Sequence, residues 1–336
     1  MDATALYAEA LTREDALAGF YNRNVRMETD SGPVLVRIPG SRSEQMDLTL
    51  WSEPAVLEAI RPYVSPAPRL LHADRKRRFQ IHEFVEGRRV DEVAQGGKPL
   101  PDVVLDRVEQ LFREMLRVPS SALPPVPADW PADGDTPAFA GLLLDLVREI
   151  RSRTDAELES FYAMLGVPAD PCGPLEERAA RELAERPFGL LHADIHRKNM
   201  IITERADVVF LDWELALWGD PVYDLADLLH KSSCTTADRQ RIVTGWTRAA
   251  PAECRRAWQP GLAFYLAYEE MKSAVVDTVR WGRRIARAET APERRGLAEE
   301  LRAKLVAAYP QWGGGPPPPV AEIEDAATVW LGRARQ

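Results

Sequence analysis

The chain has 336 residues, 45% of them hydrophobic, and 52 acidic against 43 basic side chains give a formal net charge of −9. That length accommodates one large two-lobed domain or two small ones, and the apolar share suffices for a real core. The acidic balance argues against a nucleic-acid partner, whose binder is ordinarily basic, and says nothing about any single pocket.

The three cysteines, Cys172, Cys234 and Cys254, are too few and too dispersed for a disulfide framework. No apolar run approaches the roughly 18 residues of a membrane span. The acidic opening MDATALYAEALTRED has no basic-then-apolar leader. A cytoplasmic protein with no membrane partner is expected, and oligomeric state leaves no trace in the sequence.

Residues 4–18 read as a leading helix. Two strand-like runs follow, 24–29 and 34–38, joined by the turn residues Asp30, Ser31, Gly32 and Pro33 as a β-hairpin. A helix is expected over 52–60, with Ser52 as N-cap and Pro54 in the first turn. Residues 69–71 and 79–85 read as further strands. The first 85 or so residues therefore look like a small antiparallel sheet with one helix.

Glu86, Gly87 and Arg88 mark a break, after which the pattern turns helical. Leu105, Val108, Phe112 and Met115 recur at helical spacing. A Pro-rich connection over 120–137 leads to an amphipathic stretch over 139–150. Further helices fit 175–184, 221–231, 261–287 and 296–308, and short strands fit 200–203 and 208–211. The run GGGPPPP over 313–319 cannot continue a helix. A last amphipathic helix over 321–331 is expected to dock loosely.

The chemistry concentrates in residues 190–213, LLHADIHRKNMIITERADVVFLDW. An Asp five residues before an Asn, then a second Asp closing an apolar strand, is the polar layout of a kinase phosphoryl-transfer site. Asp194 is the candidate catalytic base, a carboxylate able to accept a proton from a hydroxyl. Asn199 and Asp212 are the candidate metal ligands, able to hold magnesium against a nucleoside triphosphate. His192 reads as a brace for the loop, His196 as a structural loop histidine, and Lys198 as a solvated lysine.

The next segment, DWELALWGDPVYDLA, carries Trp213, Glu214, Gly219, Asp220, Pro221, Asp224, Leu225 and Ala226. With HxDxxxxN before it, the stretch 190–226 resembles the aminoglycoside phosphotransferase and choline kinase family. The resemblance implies an α+β, bilobal protein-kinase-like fold: a nucleotide-binding lobe over 1–86 and a catalytic and substrate-binding lobe over 87–336. It also implies phosphoryl transfer from ATP to a hydroxyl of a small-molecule acceptor. Backbone recognition of the base leaves GTP open. Ordinary protein kinases carry Lys two residues after the catalytic Asp, where this chain has His196.

The same resemblance places the nucleotide loop and its strands at GFYNRNVRMETDSGPVLVRIP, with Asn22, Arg23 and Asn24 over the phosphates. Arg37 stands where the fold carries its phosphate-binding Lys. A guanidinium still pairs with phosphate oxygens and with a helix carboxylate. Glu53 is the first candidate partner and Glu58 the second. The run FQIHEFVEG resembles the hinge, with backbone groups of Glu83 and Val85 on the adenine edge. The acceptor is expected between the catalytic loop and later helices, and Tyr265, Tyr268, Glu269, Lys272 and Asp277 are its candidate contacts. The mixed charge there, with Arg280, Arg283 and Arg284 following at once, equally describes a salt-bridged helix with an aromatic core stripe.

The expected reaction is O-phosphorylation of an antibiotic of aminoglycoside, macrolide or nucleoside type, conferring resistance. A metabolic kinase for choline, a sugar, a hydroxy-amino acid or a fructosamine is the first rival. A nucleotide-sensing pseudokinase is the second, disfavoured by the intact Asp194, Asn199 and Asp212. A protein kinase is disfavoured by His196 and the DWE run.

Overall fold

The computed structural model describes residues 2–16, 22–40, 47–76, 78–313 and 316–333. It divides into two compact units, Met1–Trp130 with Pro187–Arg255, and Pro131–Arg186 with Arg256–Gln336. These units reflect packing density. The expected division of roles at residues 86/87 lies inside the first of them.

The first unit opens with α1 (Ala3–Thr12), whose N-cap Asp2 accepts hydrogen bonds from the amides of Thr4 and Ala5. The helix stops at Thr12 because Arg13 is extended. Residues 17 and 18 of the longer helix expected from the sequence lie outside the described residues. Strands β1 (Asn22–Thr29) and β2 (Gly32–Pro39) form the expected hairpin, paired from Asn22 with Pro39 to Thr29 with Gly32. Helix α2 (Glu53–Ile60) begins after Ser52, which has cap geometry but makes no side-chain cap bond. Strands β3 (Leu70–Ala73) and β4 (Gln80–Glu83) complete a four-stranded antiparallel sheet in the order β1-β2-β4-β3.

Alternation along these strands sends Val25, Met27, Val34, Val36 and Ile81 to one buried cluster with Ala10 and Phe79. Tyr7 stacks on Phe79 with ring centroids 4.4 Å apart, which fastens α1 to the sheet.

After β5 (Arg88–Arg89) and the short α3 (Val90–Val93) comes α4 (Asp102–Met115), which buries Leu105, Val108, Phe112 and Met115 as their spacing predicts. The first unit resumes in β6 (Gly189–Leu191), β7 (Met200–Ile202), β8 (Val208–Phe210), β9 (Leu217–Gly219), α8 (Pro221–Lys231) and α9 (Thr236–Ala249). Strand β6 pairs with β9, and β7 sits between β5 and β8. Helix α9 was not anticipated, although its capping box from Thr235 and Asp238 is written in the sequence.

The second unit holds α5 (Thr136–Ser152), α6 (Ala156–Met164), α7 (Gly173–Glu182), α10 (Trp258–Arg287), α11 (Ala291–Trp312) and α12 (Val320–Arg333). Pro137 belongs to the first turn of α5, which Asp135 caps, so the Pro-rich connection ends sooner than its composition suggests. Helix α10 is the spine, and Tyr162 of α6 donates to its Val275 carbonyl at 3.0 Å. Gly313, at φ 70°, ends α11 where the glycine run predicts a stop.

Helix α12 corrects the expectation of loose docking. Ile323 and Ala327 are fully buried, and Trp330 stacks on Phe161 with centroids 4.7 Å apart. A large aromatic in a closed apolar seat ties a helix down more firmly than amphipathic spacing alone conveys.

Candidate active site

Pairing of β6 with β9 sets Leu191 opposite Leu217 and aims the following loop. Helix α8 then fastens that loop by its amides. Asp224 accepts from the backbone N–H groups of His192 and Ala193, both at 2.7 Å, and Asp227 accepts from that of Ile195 at 3.0 Å. Ala193 is held at φ 60°, a left-handed conformation costly for a residue with a Cβ. These fixed amides are the physical reason for carboxylates in GDPVYDLAD. Asp220 caps the same helix by accepting from the Val222 amide at 3.1 Å. Burial pushes the Asp224 carboxyl up to about 6, against the pull of the two amides.

Asp194 stands at the loop's turn with both oxygens engaged. Its Oδ1 takes the Lys231 ammonium at 2.7 Å, and its Oδ2 takes the Asn199 amide at 2.8 Å. His196 Nε2 lies 3.5 Å from Oδ2. Burial raises this carboxyl's affinity for a proton, but Lys231 and then His196 outweigh it and hold the group well below the usual carboxylate range. Asp194 is therefore ionised at neutral pH.

The β7–β8 hairpin brings the next two candidates to one end. Met200 pairs with Phe210, and the Leu211 amide donates to the Asn199 carbonyl at 2.8 Å, so Asp212 emerges beside Asn199. Asp212 is itself left-handed, at φ 70° and ψ 59°. Strain at a non-glycine residue in this region marks a position over-determined by its surroundings.

His192 is the brace expected of it. It is fully buried, its Nε2 lies 3.0 Å from the Leu211 carbonyl, and its ring packs 4.5 Å from that of Trp213. Burial pulls its pKa down to about 4, so it stays neutral at neutral pH. Lys198 is exposed, as a solvated lysine is.

At the sheet, Arg37 Nη1 meets Glu53 Oε1 at 2.9 Å and Arg37 Nη2 meets Asp212 Oδ1 at 2.5 Å. Glu58, the second candidate partner, is exposed. Glu53 also accepts from Gln80 Nε2 at 2.5 Å and from the Trp213 amide at 3.1 Å. One buried carboxylate thus ties α2, β2, β4 and the segment after Asp212 together. Burial pushes the Glu53 carboxyl up, against the pull of Arg37. Asn22 Nδ2 donates to Glu214 Oε2 at 2.8 Å. Burial and then Asp212 push the Glu214 carboxyl up to about 7. A cavity of about 350 Å³ adjoins this end, lined by Asn22, Trp51, Glu53, Phe79, Gln80 and Glu214.

The remaining nucleotide candidates lie on β1, on β4 and in the segment after β4. The Arg23 guanidinium donates to the carbonyls of Ala10, at 2.6 Å, and Arg13, which ties it to the end of α1. Asn24 lies opposite Arg37 in the β1–β2 register and its Oδ1 is buried without a hydrogen-bond partner. The Glu83 amide donates to the Arg69 carbonyl at 2.9 Å, so that N–H is engaged where β4 meets the start of β3. Val85 follows in the irregular segment after β4.

In the second unit, Tyr265, Tyr268, Glu269, Lys272 and Asp277 are all buried along α10. Lys272 lies 3.5 Å from Glu269, and Asp277 pairs with Lys304 at 2.7 Å while accepting from Ser273 at 2.9 Å. Asp277 thereby holds α10 to α11.

Sequence reasoning missed Lys231 and Asp227. The signal was available: Asp224, Asp227 and Lys231 lie three and four residues apart, on one face of a helix.

The donor set suits magnesium. Asp212 and Asn199 offer hard oxygen ligands, and magnesium is ordinarily held by one or two carboxylates with substrate phosphates completing the shell. Among the described residues, no group of three or more His, Cys, Asp and Glu is arranged to hold a metal.

Residues 13–271 match the model of a family described as the phosphotransferase enzyme family. No curated protein matches the chain. Among solved structures, a choline/ethanolamine kinase family protein from Mesorhizobium loti is similar, at TM-score 0.57 and 15% identity, over 98% of this chain and 100% of that one. Choline kinase LicA from Streptococcus pneumoniae is similar at TM-score 0.56 and 14% identity, over 90% and 97%. A spectinomycin phosphotransferase in complex with ADP and spectinomycin is similar at TM-score 0.50 and 12% identity, over 94% and 92%. The α+β, kinase-like fold expected from the sequence is thereby established.

Proposed function

The chain belongs to the phosphotransferase enzyme family, and we propose that it transfers the γ-phosphoryl group of ATP to a hydroxyl of a small-molecule antibiotic. Residues 1–86 serve the nucleotide in this reading, and 87–336 serve catalysis and the acceptor. The observation that carries it is the state of Asp194, an ionised carboxylate fixed at both oxygens beside Asn199.

Asp194 orients the acceptor hydroxyl and takes its proton as the oxygen attacks phosphorus. The bond from phosphorus to the β,γ-bridging oxygen breaks, and its electron pair leaves with ADP. Asn199 and Asp212 would hold magnesium, which when bound neutralises charge on the phosphate oxygens. Arg37, released from Asp212 as the nucleotide enters, pairs with phosphate through the guanidinium arm not used by Glu53. Asn22 and Asn24 face the phosphates, and backbone groups of Glu83 and Val85 meet the base. Arg23 supports the loop from α1. Most of the catalysis is positioning and charge stabilisation.

Tyr265, Tyr268, Glu269 and Lys272 are the proposed acceptor contacts, with Asp277 supporting them. Phosphorylating a hydroxyl by which a drug grips its target adds roughly −1.5 to −2 charge units, by analogy with phosphorylated side chains. Such a change would confer resistance. No described helix is long and apolar enough to cross a membrane, and a cytoplasmic site of action fits the need for ATP.

A second reading, a kinase for a small amino alcohol, is favoured by the likeness to choline/ethanolamine kinase folds at TM-scores of 0.57 and 0.56. The test is a mass-spectrometric screen with Mg-ATP against aminoglycosides, macrolides, nucleoside antibiotics, choline, ethanolamine and sugars. Gain of one phosphoryl group on an antibiotic is the expected result, and gain on choline or ethanolamine alone would replace the first reading with the second. Asp194→Ala should lose roughly 10² to 10⁴ in turnover, the usual contribution of a general base, while still binding ATP.

A further inference from the structure

We propose that Lys231 is a positioning residue for phosphoryl transfer, its ammonium fixing the Asp194 carboxylate from α8. This rests on the reading of Asp194 as the catalytic base. Lys231 Nζ lies 2.7 Å from Asp194 Oδ1, 2.7 Å from Asp227 Oδ1 and 3.3 Å from the Ala193 carbonyl. An ordinary i,i+4 helix pair would end at Asp227. This one reaches a second element and meets the reacting group.

The geometry around Asp194 explains why a cation is needed there. Asp224 and Asp227, the two carboxylates that fasten the loop, are fully buried on the adjoining face of α8. With Asp194 they make three acidic groups in one small volume. Their mutual repulsion in a poorly solvated site would push the Asp194 carboxylate out of place unless a cation sits among them. Asn199 offers Asp194 a neutral amide at 2.8 Å, and the His196 ring lies 3.5 Å from it while its Nδ1 accepts from the Lys198 amide at 3.2 Å. The exposed Lys198 does not share this site. Lys231 supplies an ammonium from a helix that follows the loop in sequence, 2.7 Å from Asp194 Oδ1.

Lys231 holds Oδ1 while Asn199 holds Oδ2, so the carboxylate plane is set before the acceptor arrives. In a transition state with little proton transfer to drive it, a fixed and ionised acceptor for the hydroxyl is the useful contribution of the base. Asp227 gives Lys231 its own anchor, since its Oδ2 is bound to the Ile195 amide.

The full-length protein tests this with Lys231→Met, Lys231→Arg, Asp194→Asn and the double variant Asp194→Asn/Lys231→Met. The probe is Mg-ATP with water as phosphoryl acceptor, read as phosphate release, because it requires no identified acceptor. Lys231→Met should lower kcat by about 10- to 100-fold, the scale of a misplaced reacting group, with KM for ATP little changed. Lys231→Arg should recover most of that loss, and the double variant should be no slower than Asp194→Asn alone. A thermal unfolding midpoint for each variant separates a lost strut from a lost positioning contact.

Wild-type kcat in Lys231→Met, with Asp194→Asn dead, would overturn the proposal and leave the base assignment standing. Equal losses from Lys231→Met in the wild-type and Asp194→Asn backgrounds would also overturn it, because the lysine would then act elsewhere. Full turnover by Asp194→Asn would remove the base assignment and this inference together.

Discussion

Arg37 and Glu53 form a buried ion pair, Nη1 to Oε1 at 2.9 Å, that joins β2 to α2 across two side chains exposed by no more than 6%. Glu53 is also the acceptor for Gln80 and for the Trp213 amide, so the pair organises both the sheet and the segment after Asp212. Removing one member leaves a desolvated charge, which costs far more than the pair itself contributes. Arg37→Met should destabilise the protein by about 3 to 5 kcal/mol, and adding Glu53→Leu should recover part of that loss. Urea denaturation of both variants checks this. A single variant within experimental error of wild type would refute the coupling.

Gly87 is the backbone break foreseen in the sequence, and the structure gives the reason for glycine. At φ 152°, a Cβ there would stand 2.3 Å from the Ile202 carbonyl oxygen and 2.7 Å from an Ile201 side-chain carbon. Backbone of β7 cannot yield as a flexible side chain does. Gly87→Ala should cost about 1 to 3 kcal/mol, the usual range for overpacking. Gly97→Ala, where nothing lies within 4 Å at φ 78°, carries only the conformational part of that penalty. The difference between their thermal midpoints is the measurement, and equal midpoints would contradict it.

Trp330 seats α12 on Phe161, and it is 5% exposed. Truncating it removes a stacked aromatic from a packed interior. Trp330→Ala should destabilise the second unit by about 3 to 5 kcal/mol, as large aromatic truncations do. Limited proteolysis should then cleave between α11 and α12 sooner than in wild type. Unchanged cleavage would mean that α12 is not held by this contact.

His82 is buried in β4 at 2% exposure, and its Nε2 has no hydrogen-bond partner. Burial, followed by the nearby Arg37 charge, pulls its pKa down to about 3. The folded-state pKa lies below the unfolded value of about 6.5, so below that pH the unfolded chain takes up a proton that the folded chain refuses. The stabilising contribution is complete above about pH 6.5 and is lost as the pH falls toward 3. His82→Leu should lessen the loss of stability between pH 6.5 and 5 by up to about 2 kcal/mol. Denaturation midpoints at those two pH values test it, and an unaltered slope would assign the acid sensitivity to other groups.

Much of the candidate site is legible because the chemistry requires particular side chains in a short linear span. Asp194, Asn199 and Asp212 fall within nineteen positions of one another, and the turn between β7 and β8 brings the last two to one end. The hairpin of β1 and β2 follows from its turn residues, and α8 follows from Asp220 and Pro221 at its start. Helix α9 was missed because its apolar positions are sparse, and its signal was the cap. Strand position does not reveal which way a long side chain such as that of Arg23 reaches. Its guanidinium found the carbonyls at the end of α1.

The sequence by itself determined the candidate groups for the chemistry and most of the local elements, since those depend on residue type, spacing and turn conformation. Only the tertiary structure decided which charges meet. Asn22 reaches Glu214 across 192 positions, Arg37 reaches Asp212 across 175, and Lys231 returns to Asp194 across 37. The strength of a charge pair depends on its separation and on the water excluded around it. Both quantities come into being only when the strands and helices pack.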